Sequence, residues 1–266
     1  MSILLHISDT HFGTEQPPVV EALVTLAREQ HPDLTVLSGD ITQRALRTQF
    51  RAARSFVDRL HAPVLAIPGN HDIPLLDLCT RLLFPHRRQC EVFGDDLEPM
   101  FASPDLLVLC ANTTRRWRHK NGEVSARQVE RIAAQLAGAS SAQLRLVVVH
   151  QPVEVIRDQD VHDRLRGNEP ALRRWADAGA DLVLGGHIHL PYVAAIKRFA
   201  RPLWVVQAGT AVSSRVRAGV PNSVNIIRCG AAANPDGCTI EQWDYAVATQ
   251  AFVRSVVTLA KPDRGR

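Results

Sequence analysis

Short apolar runs alternate with helical patterns along this chain, and this alternation limits the fold more than any other feature. Apolar runs cover 2–8, 33–38 and 63–67, and amphipathic segments with apolar residues at helical spacing lie between them at 18–30 and 46–60. A strand–helix–strand order of this kind is typical of a parallel sheet with helices packed on it. The sequence therefore predicts an α/β fold with a parallel portion.

The pattern continues after an irregular, proline-containing excursion at 73–104, in which short helices fit between the prolines. Further apolar runs predict strands, and further amphipathic segments predict helices. The strands are expected at 106–111, 144–149 and 181–184, and the helices at 125–136 and 168–178. Ser125 is a suitable N-cap residue for the first of these helices.

The sequence pattern changes after residue 202. Strand-like runs at 203–207, 224–228 and 239–245 are joined by turn-forming segments such as Asn234-Pro235-Asp236-Gly237. This favours an antiparallel portion that closes the domain. Residues 1–245 are expected to form one domain, and 246–266 a C-terminal extension for which a helix is one candidate form.

Composition narrows the class of protein. The 266 residues are 45% hydrophobic with a formal net charge of +4, which suits one folded domain or two small ones. The arginines are scattered and form no stripe, so an anionic small molecule is a better-matched partner than nucleic acid. No apolar run approaches the ~20 residues of a membrane span, no signal peptide is evident, and the five cysteines form no CxxC pair, so a cytoplasmic protein is expected.

Metal-capable residues stand at the ends of five of the expected strands. They are Asp9 and His11, Asp40, Asn70 with His71 and Asp72, His150, and His187 with His189. In open α/β sheets, ligands bind beyond the carboxyl ends of the strands, so these residues are expected to converge. Each motif alone is weak, since Asp-x-His and Gly-Asp are often turns. Their ordered recurrence at successive strand ends predicts one site.

A cluster of this kind suits two cations. Two metal ions ~3.5–4 Å apart can activate a bridging water and bind phosphoryl oxygens together. A carboxylate placed between them lowers their mutual repulsion. Imidazole, carboxylate and amide donors suit iron, manganese, zinc or cobalt.

The ordered motifs Asp-x-His, Gly-Asp, Gly-Asn-His-Asp, His and Gly-His-x-His resemble the calcineurin-like metallophosphoesterase superfamily across roughly residues 5–189. The segments Ser38–Ala45 and Ile67–Pro74 are most similar to its bacterial cyclic-nucleotide and glycerophosphodiester phosphodiesterases. The resemblance implies a four-layer sandwich, in which two mixed β-sheets are flanked by helices. It also implies two divalent or trivalent ions, iron, manganese or zinc.

The resemblance further implies a role for each position. One metal would be bound by Asp9, His11 and His189, the other by Asn70, His150 and His187, and Asp40 would bridge them. His71 would face the substrate and help to expel the leaving oxygen after attack by a metal-bridging hydroxide. Asp72 would orient the loop that carries His71.

Two positions depart from the family pattern. Gln151 stands where many relatives have a second histidine, and Gln43 where many have a carboxylate that orients the catalytic histidine. Arg44 falls where the protein-phosphatase branch has a phosphate-binding arginine, the alternative being a surface arginine at a helix start. Asn112 either faces the substrate or is a turn residue, and Trp117 either stacks on a base or sugar or covers a solvated edge.

Three functions compete. The first is hydrolysis of small phosphodiesters of the cyclic-nucleotide or glycerophosphodiester type. The second is phosphomonoesterase or nuclease chemistry on the same scaffold, although a nuclease should carry a concentrated basic groove. The third is a non-catalytic interaction module, which predicts missing ligands, whereas the full set is present. A homo-oligomer is a further expectation, with 246–260 as a candidate contact.

Overall fold

The computed structural model describes residues 2–118, 120–230 and 237–261. Its strands and helices follow the expected alternation. In chain order, with 3₁₀ turns at Asn70–Asp72 and Asp158–Asp163, they are β1 Ser2–Ile7, α1 Pro17–Gln30, β2 Leu34–Leu37, α2 Arg47–Asp58, β3 Val64–Ala66, α3 Leu78–Leu83, α4 Arg87–Phe93, β4 Met100–Ala102, β5 Leu106–Cys110, α5 Ala126–Ala137, β6 Leu144–Val148, α6 Asn168–Asp177, β7 Leu182–Gly185, β8 Tyr192–Ile196, β9 Leu203–Gln207, β10 Ser223–Cys229, β11 Cys238–Ala246 and β12 Ala251–Ala260.

The strands form two mixed six-stranded sheets. Their orders are β12-β11-β10-β1-β2-β3 and β4-β5-β6-β7-β9-β8. Strands β1, β2 and β3 are parallel, as are β5, β6, β7 and β9. One buried cluster, which includes Leu4 and Val108, lies between the sheets. Two others pack helices on the outer faces, so the architecture is the expected four-layer α/β sandwich.

Local chemistry explains the helix boundaries. Helix α1 begins with two prolines, whose fixed φ suits a first helical turn. Helix α5 is capped by Ser125, whose hydroxyl accepts from Gln128 N, while the side-chain oxygen of Gln128 accepts from Ser125 N. The helices run back against the strands, so the carboxyl ends of the parallel strands of both sheets are free to present side chains.

The C-terminal region differs from expectation in three ways. Strand β9 belongs to the second sheet, where it is parallel to β7, and β8, which was not expected, pairs antiparallel with β9. The helix suggested for 246–266 is wrong for Ala251–Ala260, which form β12 against β11. Its side chains mimic an amphipathic pattern, but backbone pairing with β11 and the burial of Phe252 outweigh helix propensity.

Part of the expected turn, Asn234–Asp236, and the last five residues lie outside the described residues. Over the described ranges, no helix combines the length and the apolar character that a bilayer crossing would need.

Candidate metal centre

Every metal-capable residue named from the sequence lies just beyond the carboxyl end of a parallel strand. The first sheet contributes Asp9 and His11 after β1, Asp40 after β2 and Asn70 after β3. The second sheet contributes His150 after β6 and His187 and His189 after β7. The site therefore lies where the two sheets face each other, and each sheet supplies one part of it.

The backbone at these positions is unusual. Of the nine non-glycine residues with positive φ in the described chain, five are site residues, and these are Asp9, His11, Asp40, His187 and His189. Glycines allow the strand ends to approach closely. A Cβ at Gly69 would lie 2.2 Å from Asp40 Oδ1, and one at Gly186 would lie 2.5 Å from Asp9 Oδ2. A side chain at either glycine would push the carboxylate out of place.

One group of donors consists of Asp9, His11 and His189. The Nε2 atoms of His11 and His189 are 3.2 Å apart, and Asp9 Oδ1 lies 3.3 Å from His189 Nε2. His189 Nδ1 donates to the backbone oxygen of Arg215. That bond leaves Nε2 as the atom facing the group, which is the arrangement that orients metal-binding histidines in general.

A second group consists of Asp40, His150 and His187. His150 Nδ1 donates to Ser38 O at 2.8 Å, and its Nε2 lies 3.3 Å from both Asp40 Oδ1 and Asn70 Oδ1. The other carboxylate oxygen, Asp40 Oδ2, lies 3.7 Å from His11 Nε2. The two oxygens of Asp40 therefore face the two groups.

The charges of the site shift the pKa values of its members in opposite directions. Burial opposes the charged form of His150, but Asp40 attracts a proton and raises the pKa of His150 to about 9. Burial likewise opposes protonation of His189, yet Asp9 raises its pKa. Burial lowers the pKa of His187 to about 4, and the nearby charge of His150 adds to this effect. The buried carboxylates therefore favour positive charge beside them, either as a protonated histidine or as a bound cation.

The donor set fits bound cations. Asp9 Oδ1 and both ring nitrogens of His187 are buried and have no hydrogen-bond partner within the described part of the chain. Buried polar atoms are normally satisfied, so an unsatisfied carboxylate oxygen and imidazole at one point indicate a missing partner. Imidazole nitrogens with carboxylate and amide oxygens are a donor set for first-row transition metals.

His71 lies beside the donors and forms a third group of metal-capable side chains with His11 and Asp40. Its backbone N–H donates to Asp40 Oδ1 at 2.8 Å, and its ring packs edge-on against His11 with centroids 4.9 Å apart. The loop that carries it is held by Asp72. The Asp72 carboxylate accepts backbone hydrogen bonds from Gly69 and Ile41, as well as two from Thr42.

The two departures from the family pattern have structural replacements. His71 Nδ1 donates to the backbone oxygen of Gln43 at 3.0 Å, so the histidine is oriented without a carboxylate. Gln151 points away from the donors and accepts from Thr113 Oγ1 at 2.6 Å, and its Nε2 donates to Lys120 O. It therefore fixes the loop between β5 and α5.

Among the described residues, no hydrogen bond joins the candidate substrate contacts Arg44 and Asn112 to the metal donors. Arg44 is exposed, and its backbone N–H donates to Gln49 Oε1. The Asn112 side chain accepts from Thr114 N at 3.0 Å and contacts His86, which is the turn arrangement. Trp117 is 66% exposed with the Arg116 guanidinium 5.6 Å from its ring.

Sequence reasoning missed two arginines in the loop after β9. Arg215 Nη1 lies 3.2 Å from His71 Nε2 and donates to Gln43 Oε1 at 2.8 Å. Arg217 forms an ion pair with Asp160 and donates to Ile188 O, between the histidines that follow β7. Because β9 was expected in an antiparallel portion, its carboxyl end was not considered as part of the site.

Comparisons with known proteins identify several relatives of this chain. A 25% identical relative, a probable cyclic nucleotide phosphodiesterase of Synechococcus, matches 71% of this chain and 74% of its own length. The glycerophosphodiester phosphodiesterase GpdQ of Enterobacter lignolyticus is 30% identical over 57% of each chain. A cAMP/cGMP dual specificity phosphodiesterase of Mycobacterium tuberculosis is 26% identical over 70% of this chain. The matches span only 57% and 61% of the last two relatives.

Solved structures share the fold at low identity. A dimetal phosphatase from Danio rerio superposes with a TM-score of 0.69 at 14% identity, covering 98% of this chain and 99% of its own. The purple acid phosphatase PPD1 from yellow lupin gives 0.75 at 12% identity, covering 96% of this chain and 53% of its own. The sequence profile of the calcineurin-like phosphoesterases matches residues 3–191. This chain therefore belongs to the calcineurin-like phosphoesterase family.

Proposed function

We propose that the protein is a dinuclear-metal phosphodiesterase that hydrolyses small organic phosphodiesters of the cyclic-nucleotide or glycerophosphodiester type. The observation that carries the proposal is the position of Asp40, whose two carboxylate oxygens face two separate donor groups. A single cation would need only one of these groups. Two groups that share one carboxylate suit a pair of ions.

In this proposal, Asp9, His11 and His189 hold one ion, and Asn70, His150 and His187 hold the other, with Asp40 between them. Iron, manganese or zinc would suit these ligands. The ions would supply an activated water as nucleophile and neutralise charge on the phosphoryl oxygens. No side-chain nucleophile is required.

The residues of the chain contribute orientation and a leaving-group contact. Hydrogen bonds from His150 to Ser38 O and from His189 to Arg215 O hold each ring with Nε2 toward the ions. His71 forms a third group of possible donors with His11 and Asp40, but the other two groups are complete without it, so it is assigned to the leaving oxygen. Arg44 and Asn112 are proposed as substrate contacts, and substitution of each by alanine should raise KM.

The diester preference rests on the names of the relatives and is tested by an activity panel on protein of measured metal content. The panel compares bis-p-nitrophenyl phosphate, p-nitrophenyl phosphate, cAMP, 2′,3′-cAMP and glycerophosphodiesters. We expect the highest kcat/KM on a diester. A strong preference for the monoester would favour phosphomonoesterase chemistry, and hydrolysis of DNA alone would favour a nuclease.

We also propose that a second copy of the chain pairs with β12. This strand is the edge of the first sheet, and Val253, Val256 and Val257 are exposed on it. Long edge strands with exposed apolar side chains are normally covered. Light scattering after size exclusion should give a dimer mass that Val257→Lys lowers toward a monomer; a monomeric wild-type protein would disprove the pairing.

A further inference from the structure

We propose that Arg215 is a substrate-binding residue whose guanidinium binds a phosphoryl oxygen beside the metal centre. The inference rests on the proposed function, since it assumes that a phosphoester occupies the site. It assigns a role to a residue in the loop after β9, far in sequence from the motifs that carry the metal donors.

The position of the guanidinium is the first step. Arg215 Nη1 lies 3.2 Å from His71 Nε2, and the His71 ring packs against that of His11. One imidazole therefore separates the cation from the metal donors. Arginine can only donate, so His71 Nε2 is the acceptor in this contact, which agrees with His71 Nδ1 donating to Gln43 O. An incoming phosphoryl oxygen would be a stronger acceptor for the same Nη1 donor than a neutral imidazole.

The second step is the neutral partner of the guanidinium. Arg215 donates to the amide oxygen of Gln43 at 2.8 Å, and no carboxylate of the described residues forms an ion pair with it. Arg217, two residues later, is by contrast paired with Asp160. A neutral amide orients the guanidinium without cancelling its charge, which remains available to an anion.

The third step is the rigidity of the Arg215 backbone. Its N–H donates to Ser213 Oγ at 2.9 Å, and its carbonyl accepts from Thr210 Oγ1 and from His189 Nδ1. The same residue thus fixes a proposed metal ligand through its backbone and presents a cation through its side chain. Because the ligand contact uses the carbonyl, a side-chain substitution leaves that contact in place.

The test measures binding of inorganic phosphate to metal-loaded protein by titration calorimetry, with the metal content of every sample determined. Arg215→Gln should raise the Kd for phosphate by about tenfold or more, the range for loss of a charged hydrogen bond. The Kd of Arg215→Lys should lie between those of the wild type and Arg215→Gln, because lysine keeps the charge but lacks the planar guanidinium donors. Gln43→Glu should also weaken phosphate binding, since its carboxylate would pair with Arg215.

The matched control is Arg28→Gln, which removes the same charge at the exposed C-terminal turn of α1, at the opposite end of the strands. It should leave the Kd unchanged. Wild-type phosphate affinity in both Arg215→Gln and Gln43→Glu at full metal content would overturn the inference while leaving the proposed function intact. Weakened phosphate binding in these variants, together with a wild-type protein that hydrolyses no phosphoester, would support the inference and refute the proposed function.

Discussion

At the scale of single residues, His71 allows catalysis to be tested apart from metal binding. It lies beside the metal donors but is not a proposed ligand of either ion. His71→Ala should lower kcat by about 10²-fold or more, the range for loss of a positioned acid–base group, while the metal content stays at the wild-type value. Metal analysis and steady-state kinetics on the same samples check both parts. Unchanged turnover would remove His71 from the mechanism.

The control for this variant is His61→Asn, which alters an exposed histidine three residues before β3, at the end of that strand far from the metal donors. It should behave as wild type. His150→Ala tests the other class of residue, because it removes a proposed ligand. It should lose metal as well as activity, and full occupancy of both ions would contradict its assignment.

The His150–Asp40 pair predicts how metal binding depends on pH. In the metal-free protein, Asp40 raises the pKa of His150 to about 9, so the ring is protonated near neutral pH. A cation that binds Nε2 must displace that proton, so metal affinity should rise as the pH rises toward about 9 and fall in acid.

Titration calorimetry in two buffers of different ionisation enthalpy measures this effect as protons released per ion. We expect release at about pH 7 and less release above about pH 9, where His150 is already neutral. Metal binding without proton release at neutral pH would show that the pair is not charged in the free protein.

At the scale of elements, β12 forms a strand although its local sequence pattern suggested a helix, because its packing in the sheet determines its structure. Phe252 is 6% exposed and packs in the cluster under α1, with its ring 5.7 Å from that of Tyr245. Phe252→Ala should lower the free energy of unfolding by about 3 kcal/mol, the lower range for a buried phenylalanine. Val247→Ala, in the turn before β12 at a side chain that is 79% exposed, should change it by under about 0.5 kcal/mol.

Denaturant unfolding of both variants makes the comparison. An appended helix would give nearly equal effects at the two positions, whereas a strand integrated into the sheet makes Phe252 far more sensitive. A small loss of unfolding free energy in Phe252→Ala would mean that β12 contributes little to the stability of the core.

The same elements show what a sequence can predict. The strand–helix–strand alternation predicted β1 to β3 and their parallel order, and it therefore placed Asp9, Asp40 and Asn70 at one edge of a sheet. The pairing partner of β9 is a long-range choice that its own residues do not encode, so Arg215 was missed. Strand β8 was missed because its short run, Tyr192–Ile196, contains two alanines, which have low strand propensity.

At the scale of the whole molecule, the metal centre joins the two sheets. Four of the proposed donors follow strands of the first sheet and three follow strands of the second. Ions held between the sheets would cross-link them. Because the donors converge only in the folded protein, the ions would bind the folded state and not the unfolded chain. Removing the metals with a chelator should therefore lower Tm, and the loss should be reversed as metal is added back, in proportion to the logarithm of its free concentration.

Scanning calorimetry before and after chelation, with His187→Ala as a variant that lacks one proposed ligand, tests this. The variant should show a smaller shift on chelation than the wild type. An identical Tm with and without metal would mean that the sheets are held entirely by the apolar layer between them.

The left-handed backbone at Asp9, His11, Asp40, His187 and His189 has a consequence for how such a chain evolves. Each non-glycine residue there costs about 1–2 kcal/mol relative to the right-handed region, a cost that glycine avoids. Without selection for catalysis, glycine at any of these five positions would therefore lower the backbone strain and be favoured. A descendant that had become a pure binding module should be recognisable by glycines where this chain keeps carboxylates and imidazoles. A selection for stability of the metal-free chain alone would erode the site at the same positions.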